Sequence, residues 1–246
     1  MNAARVPRYL FVYTSLREQI EDMAYPPGSH LPPEPELERL YRVSRTTIRK
    51  AVELLADEGF VSIRQGIGTV VLNFKATQRL QYVTSFSETL RDQGFDVTHR
   101  LEAVETVLAS ASECSDLRLS TGSELVWIRR LALANERPIA IMVNYLRPDF
   151  APGIEAKRDR IASLYAFLER EYNITIDGAT DFIRASTATE EDSSALGIPV
   201  GAPLLIVKRI GFHRDEPVEV AHLRIVADRY EYSVHTRERP PAGYRS

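Results

Sequence analysis

The sequence contains little cysteine and no long apolar run. Cys114 is the only cysteine among 246 residues, so no disulfide can form within the chain. No stretch reaches the roughly 18 apolar residues that a membrane-spanning helix needs. The first residues, MNAARVPRYLFVY, lack the apolar core and the cleavage site of a signal peptide. We therefore expect a cytoplasmic protein.

Motifs of nucleotide-binding and catalytic sites are also missing. The sequence has no GxxxxGK[ST] motif and no GxGxxG motif after a predicted strand. Its histidines lack metal-ligand spacing, and only His222 is expected near a pocket. No nucleophile–base pair and no paired catalytic carboxylates emerge. We expect no cofactor, no metal and no enzymatic activity.

The length and the charge distribution favour two domains of different character. A chain of 246 residues is long for one compact domain, and two domains of this size could each bury a core. Residues 1–77 contain ten Lys and Arg against nine Asp and Glu, whereas the remainder contains 21 against 25. The formal net charge of −3 therefore comes mainly from the C-terminal part.

The N-terminal part shows the pattern of two short helices separated by a proline-rich break. The first is predicted over residues 9–23 because apolar residues recur at spacings of three and four. These residues are Tyr13, Leu16, Ile20 and Met23. The stretch YPPGSHLPPE ends this helix. Pro33 and Glu34 suit the first turn of a second helix, which continues to Tyr41.

A third helix is predicted over residues 45–58, with Ser44 as its N-cap and Gly59 as its stop. Its buried stripe is predicted as Ile48, Ala51, Val52 and Leu55. Another surface carries cations and hydroxyls, namely Arg45, Thr46, Arg49 and Lys50. Such a helix fits the major groove of DNA and reaches base edges from its N-terminal residues. The alternative is a solvated basic face.

Residues 60–73 are predicted to form a β-hairpin, because two β-rich segments flank the turn sequence GIG. Three helices followed by a hairpin are the plan of a winged helix-turn-helix domain, here residues 1–73. Arg64 and Gln65 lead into Gly66 and Gly68, whose backbone could approach a phosphate or the minor groove closely. The alternative is that these glycines only permit a tight turn. Residues 74–81 are polar and are predicted as a linker.

Residues 82–246 have the pattern of an antiparallel α+β domain, in which strands joined by short turns alternate with helices. Strands are predicted over residues 98–110, 124–135, 138–146, 202–214 and 216–227. Helices are predicted over residues 85–94, 159–172 and 189–197. The whole chain is thus assigned to the α+β class.

The segments YTSLREQI, PPGSHLPPEPEL, YRVSRTTIRKAVELLADEGFV and QGIGTVV occur in order over residues 9–72. This region resembles the DNA-binding domain of GntR-type bacterial transcription regulators. The resemblance implies that Arg45, Thr47 and Arg49 contact DNA, supported by Glu34 and by Gly66 in the wing. We expect the whole DNA-facing surface to comprise Glu34, Arg42, Ser44, Arg45, Thr46, Thr47, Arg49, Lys50, Arg64, Gln65 and Gly66. Two residues depart from the family pattern: Pro33 replaces a serine, and Arg42 replaces a glycine.

The C-terminal part resembles the effector-binding domain of the HutC subfamily, whose fold is similar to that of chorismate lyase. The matching segments include SFSETLRDQG, IRRLALANERPIA, SLYAFLE, ALGIPVGAPLLIVKR and EPVEVAHLRIVADRYEY. The resemblance implies an effector site formed by Arg130, Ser163, Tyr165 and Glu219, together with Ser85 or Ser87. Arginine and hydroxyls suit a phosphate or a carboxylate, and a carboxylate suits a hydroxyl or an amine.

Each of these residues also has a structural alternative. Tyr165 could pack in the core, Ser163 could cap a helix, and Arg130 could pair with Glu136 or another acid. Three departures from relatives that bind phosphorylated sugars predict a less polar pocket: Ala132, Met142 and Ile225. A smaller or more apolar acid is therefore an alternative effector.

Together these features predict a ligand-responsive transcription regulator. We expect a homodimeric repressor that binds an inverted-repeat DNA operator. A small anionic metabolite, either a phosphorylated sugar or an organic or amino-acid-derived acid, would release it. One alternative is a lyase-like enzyme with an appended DNA-binding module. The other is a constitutive DNA-binding protein whose second domain only dimerises.

Overall fold

The computed structural model describes residues 7–64, 66–72 and 75–235. The chain divides into two compact units, Met1–Phe74 and Lys75–Ser246. The boundary between the units lies at residues 74 and 75, where the sequence predicts the start of a linker. None of the described helices is long and apolar enough to cross a membrane.

The first unit contains the predicted three helices and hairpin. They are α1 (Arg8–Glu21), α2 (Glu34–Tyr41), α3 (Arg45–Asp57), β1 (Val61–Arg64) and β2 (Gly68–Val71). Helix α1 buries Val12, Leu16 and Ile20. The predicted stripe was therefore partly wrong, because Met23 lies beyond the helix end and is 59% exposed. Val12 takes the place of Tyr13 on the buried face, since it lies one turn before Leu16.

Helix α3 has the predicted cap and the predicted buried stripe. Ser44 Oγ accepts a hydrogen bond of 3.4 Å from the Thr47 amide. The helix buries Ile48, Ala51, Val52 and Leu55, which join α1 and α2 in one core. This packing leaves the cationic face of α3 exposed and holds the helix in a fixed orientation.

The second unit is built on a six-stranded antiparallel sheet in the order β4-β5-β6-β9-β8-β7. The strands are β4 (Val97–Leu108), β5 (Glu124–Ala134), β6 (Arg137–Leu146), β7 (Gly178–Thr187), β8 (Pro203–His213) and β9 (Glu216–Val226). The helices are α4 (Phe86–Asp92), α5 (Ala111–Asp116), α6 (Leu164–Tyr172) and α7 (Glu190–Leu196). The predicted antiparallel α+β class is confirmed, although the sequence did not predict β7 or α5.

Two predictions in this unit were wrong. The predicted helix over residues 159–172 is a 3-10 helix (Ile154–Arg160) followed by α6, because buried Ile161 and extended Ser163 interrupt it. The predicted linker contains a strand, β3 (Ala76–Arg79), which pairs in parallel with β10 (Tyr230–Ser233). Buried Ala76 and Gln78 alternate with more exposed neighbours in β3, so this segment belongs to the second unit.

One face of the sheet carries two separate apolar clusters. The cluster around α4 contains Phe86, Leu90, Met142 and Leu223, whereas the cluster around α6 contains Ile128, Leu164 and Phe167. Arg130 is the next residue after Ile128 on this face of β5, since side chains alternate along a strand. The polar site described below is therefore supported by the sheet and flanked by two packed helices.

Candidate functional site

The exposed face of α3 is organised by one carboxylate. Glu34, in the first turn of α2, accepts hydrogen bonds from Arg45 Nε at 2.7 Å and Arg49 Nε at 3.0 Å. The hydrogen bond from Arg45 is the main reason that the pKa of Glu34 lies below its ordinary value. A charged Glu34 thus orients two guanidinium groups while both arginines remain more than half exposed. The arrangement presents donors that suit phosphates or guanine edges.

The other predicted DNA-facing residues of α3 have more varied surroundings. Ser44 Oγ lies 2.9 Å from Thr47 Oγ1, so both hydroxyls take part in the helix cap. Thr46 is exposed. The Lys50 ammonium lies 3.9 Å from the centroid of the Tyr9 ring in a cation–π contact. Contact of these residues with DNA remains a prediction.

Arg42 occupies the turn between α2 and α3 in a left-handed conformation, with φ 51° and ψ 49°. This backbone conformation explains why glycine is usual here in the family that the sequence resembles. A non-glycine residue pays a steric penalty in the left-handed region because its Cβ approaches the following carbonyl oxygen.

Replacing Arg42 with glycine removes this steric penalty but adds conformational entropy to the unfolded chain, which partly offsets the gain. The net effect is expected to stabilise the first unit by about 0.5–1 kcal/mol. Thermal unfolding of the two proteins would measure the change. If the Arg42 side chain also contacts a DNA phosphate, the variant loses affinity equally for all DNA sequences. The number of counterions released on binding, read from the dependence of affinity on salt concentration, then falls by about one. A lower melting temperature would contradict the backbone argument.

The wing has the backbone that the sequence predicts. Gly66 and Gly68 have φ of 77° and 112°, values that other residues rarely adopt. Between them Ile67 is 61% exposed at the tip, and Arg64 is exposed at the end of β1. Gln65, also predicted to face DNA, lies outside the described residues. The wing can therefore bring backbone close to DNA, as the prediction requires.

All six predicted effector residues lie around one cavity in the second unit. Ser85, Ser87, Arg130, Ser163, Tyr165 and Glu219 line it together with ten further residues. The cavity measures about 30 Å³, which is room for only a few water molecules. The structure thus brings the predicted residues together, but it leaves no space for a metabolite without movement.

The floor of the cavity is a buried polar chain across three strands. Arg130 Nη2 donates to Asn144 Oδ1 at 2.8 Å, and Asn144 Nδ2 donates to Glu219 Oε2 at 2.9 Å. Arg130 is 2% exposed and Glu219 is fully buried. Burial lowers the pKa of Arg130 to about 10 and raises the pKa of Glu219. Arg130 therefore does not pair with Glu136; it is linked to Glu219 through Asn144.

Several polar atoms of the cavity residues lack a hydrogen-bond partner within the described residues. They are Arg130 Nε, Ser163 Oγ, Glu219 Oε1 and Gln78 Nε2. Ser163 stands at the N-cap position of α6, but its side chain makes no capping bond. A buried polar group without a partner is costly, so such groups indicate a missing ligand or ordered water. The cavity offers both donors and an acceptor to a small polar molecule.

Sequence reasoning missed four polar residues of the cavity: Gln78, Asn144, Arg209 and Tyr232. Arg209 forms a bidentate ion pair with Asp181, with both bonds at 2.7 Å, and donates to the Thr84 carbonyl at 2.7 Å. An arginine within the apolar strand sequence LLIVKRIGF was the available signal for this residue. Asn144 and Gln78 gave no comparable signal, because isolated amides are common in strands and loops.

The histidine prediction was wrong. His222 does not line the cavity and lies 3.3 Å from Glu113. His99 is closer to the site, because its Nε2 lies 3.1 Å from Ser87 Oγ. Burial, assisted by the positive charges of Arg130 and Arg91, lowers the pKa of His99 to about 4. It is therefore neutral at physiological pH. Among the described residues, no three His, Cys, Asp or Glu side chains come together to hold a metal.

Comparison with known proteins identifies a family for each of the two units. Residues 8–71 match the family described as "Bacterial regulatory proteins, gntR family", and residues 92–231 match the UTRA domain. The chain is 30% identical to the HTH-type transcriptional repressor NagR of Bacillus subtilis, covering 95% of this chain and 96% of that protein. It is 31% identical to the HTH-type transcriptional regulator Rv0792c of Mycobacterium tuberculosis, covering 93% and 86%.

A solved structure supports the fold. The crystal structure of PhnF from Mycobacterium smegmatis has a TM-score of 0.64 at 24% identity and covers 93% of this chain and 100% of that chain. The relatives are transcription regulators and not enzymes, so the lyase alternative receives no support. The chain belongs to the GntR family of bacterial regulatory proteins, and it is a ligand-responsive, DNA-binding transcription regulator whose effector-binding part is a UTRA domain.

Proposed function

We propose that the protein is a homodimeric repressor of the HutC subfamily that binds an inverted repeat and is released by a small anionic effector. The named repressor function of NagR, together with similarity over nearly the whole chain, supports this direction of regulation. A two-fold dimer matches an inverted repeat, because each copy then reads one half-site with its α3. A protein acting on bacterial chromosomal DNA works in the cytoplasm.

The observation that carries the proposal is the buried chain from Arg130 to Glu219. Arg209 also faces the cavity, but Asp181 already neutralises it. Among the residues that the structure describes, Arg130 has no carboxylate within hydrogen-bond distance, and its Nε has no partner. It is thus the cation that an anionic group would contact, while Glu219 Oε1 can accept from a hydroxyl or an ammonium group. We infer an effector that carries one anionic group and one donor.

The cavity wall favours a compact effector over a large, highly polar one. Met142 lies directly opposite Arg130 on the neighbouring strand and lines the cavity. The other two departures, Ala132 and Ile225, are fully buried in the apolar cluster around α4. The surroundings of Arg130 therefore contain fewer polar groups than the pattern of relatives that bind phosphorylated sugars would give. A small organic or amino-acid-derived acid fits this wall better than a phosphorylated sugar does.

The small volume of the cavity implies that effector binding is coupled to a conformational change. A metabolite needs more than about 30 Å³, so binding requires that the walls move apart. An effector changes DNA affinity only if it binds one conformation more tightly than the other. The unpaired polar atoms argue against a second unit that only dimerises, because an apolar and fully packed interior would serve that role better.

A thermal-shift screen tests the effector class. Small carboxylic acids, amino-acid-derived acids and phosphorylated sugars would be added in turn, followed by fluorescence anisotropy with operator DNA. A true effector at 100 times its Kd is expected to stabilise the second unit by about 2.7 kcal/mol. It is also expected to release the DNA. Stabilisation by anions without any change in DNA affinity would contradict the proposal.

A further inference from the structure

A second and much larger cavity lies on the other side of β3 from the effector cavity. This outer cavity measures about 540 Å³ and is lined entirely by residues of the second unit. Side chains alternate along β3, so Gln78 faces the effector cavity whereas Thr77 and Arg79 face the outer cavity. Helix α4 and its cap contribute Ser85 and Ser87 to the effector cavity. The two cavities are therefore separate sites that share one wall, formed by β3 and α4.

Most of the neutral polar side chains in the outer cavity are already hydrogen-bonded to the protein. Thr77 Oγ1 donates to Glu231 at 2.8 Å, and the hydroxyl oxygens of Thr84 and Thr89 lie 2.9 Å apart. The side-chain amide of Gln93 accepts from the Thr77 backbone amide and donates to the Thr77 carbonyl, both at 2.8 Å. These bonds fix the shape of the wall and occupy groups that could otherwise bind a ligand.

Two charged side chains of opposite sign remain available in the outer cavity. Arg79 and Asp92 both line it and are exposed, and neither side chain forms a hydrogen bond or an ion pair with any residue that the structure describes. They therefore do not neutralise each other. Asp92 ends α4, where the helix carbonyls carry partial negative charge and favour a bound cation. A ligand that satisfies both side chains must carry an anionic group and a cationic group.

We propose that the outer cavity binds a zwitterionic ligand such as a free amino acid, at a site distinct from that of the anionic effector. The Arg79 guanidinium holds the carboxylate of the ligand, and the Asp92 carboxylate accepts hydrogen bonds from its ammonium group. The Tyr82 ring is 78% exposed at the cavity and offers an apolar surface to the rest of the ligand. The volume also suits a small molecule, since such sites measure roughly 300–1,000 Å³.

The shared wall gives this ligand an influence on the effector cavity. Arg209 lines the effector cavity and donates to the Thr84 carbonyl at 2.7 Å, while Thr84 also lines the outer cavity. A ligand that joins Arg79 of β3 to Asp92 of α4 restrains the helix that supplies two serines to the effector cavity. This regulatory consequence rests on the proposed effector site, whereas binding of the zwitterion does not.

Isothermal titration calorimetry on the full chain tests the site. The probes are the standard free L-amino acids and linear ω-amino acids, followed by the amide and the N-acetyl derivative of the tightest binder. Each derivative lacks one of the two charges. We expect at least one zwitterion to bind and each derivative to have a Kd about tenfold higher or more, because hydrogen bonds between charged groups are the strong ones. Absence of binding by every zwitterion, or equal binding of the derivatives, would overturn the proposal.

Two variants assign the charges to their partners. Arg79→Gln is expected to raise the Kd of the zwitterion about tenfold and to remove its preference over the amide. Asp92→Asn should do the same and remove the preference over the N-acetyl derivative. The matched controls are Arg91→Gln and Asp96→Asn, because both residues are exposed neighbours that do not line the cavity. A Kd that changes equally in variants and controls contradicts the assignment.

A further variant separates the outer cavity from the effector cavity. Arg130→Met combined with Glu219→Gln removes both charges of the buried chain in the effector cavity and leaves the outer cavity intact. We expect this double variant to bind the zwitterion with the Kd of the parent protein. Loss of binding in a double variant with a normal circular dichroism spectrum would place the zwitterion in the effector cavity. That result would overturn the second site and leave the proposed effector function standing.

Discussion

Replacing Arg130 with alanine is expected to destabilise the second unit by about 3–5 kcal/mol and to abolish the response to effector. The guanidinium is 2% exposed, and it is the cation that balances fully buried Glu219 through Asn144. Its removal takes away one of the two arginine charges that stabilise this buried carboxylate, the other being that of Arg209, and it leaves a cavity in place of the side chain. Both consequences act on the folded state, so they lower the free energy of unfolding.

A double variant separates stability from effector binding. In Arg130→Met with Glu219→Gln, both charges disappear while the side-chain volumes stay similar. We expect most of the lost stability to return, because neutral partners of matching shape replace a desolvated charge pair. The effector response should remain absent, since the proposed anion contact is gone. Chemical unfolding and operator release would be measured on the same preparations.

Arg129→Ala is the matched control for Arg130→Ala. Arg129 precedes Arg130 in β5, points to the other face, and pairs with Glu102 and Glu191 at 2.7 Å each. These ion pairs are partly exposed, so they contribute little stability. The variant should retain the effector response. Normal operator release in the folded double variant would remove Arg130 from the effector site.

The first unit was predictable from the sequence because its signals are local. Ser44, Gly59 and the apolar stripe of α3 lie within one short segment, and each specifies the same helix. The second unit was less predictable where pairing is distant. The polar strand β3 joins β10 about 150 residues later, and mostly exposed β7 shows no alternation. Contacts of this kind depend on the assembled sheet, not on neighbouring residues.

The cavity shows the same limit for side chains. Its six predicted residues came from the resemblance to a family, whereas the link from Arg130 to Glu219 runs through Asn144, which nothing in the sequence singles out. The register of β5, β6 and β9 brings these three side chains together. Likewise Asp181 neutralises Arg209 across two strands. The residue types are visible in the sequence, but their pairing is not. The structure was needed to show that Arg209 is paired and that Arg130 can contact an anionic effector.

Replacing Arg49 with alanine is expected to weaken specific operator binding by about 1–3 kcal/mol relative to non-specific DNA. Arg49 is exposed in the first turns of α3, where a helix in the major groove reaches base edges. Its pairing with Glu34 is largely exposed, so the fold should persist. The control for charge alone is Arg39→Ala, which removes an exposed arginine of α2 whose Nε donates to the Pro35 carbonyl of the same helix.

Fluorescence anisotropy at several salt concentrations would separate two roles of Arg49. A base contact relaxes specificity at one operator position, whereas a phosphate contact weakens binding to all sequences and reduces the salt dependence by about one counterion. If Arg49→Ala and Arg39→Ala lower operator affinity equally, the recognition assignment is wrong and only the cationic surface matters.

The variant Glu34→Ala tests whether Arg45 and Arg49 must be held in a fixed orientation for specific DNA binding. Removing a carboxylate from a surface that faces DNA lowers electrostatic repulsion, so charge alone predicts tighter binding. However, Glu34 fixes Arg45 and Arg49 at the same time, through one oxygen each. Its loss frees both side chains, and ordering them on DNA then costs conformational entropy. We expect non-specific affinity to rise and specific affinity to fall. This opposite change cannot arise from net charge, and it would identify Glu34 as the residue that positions the two arginines.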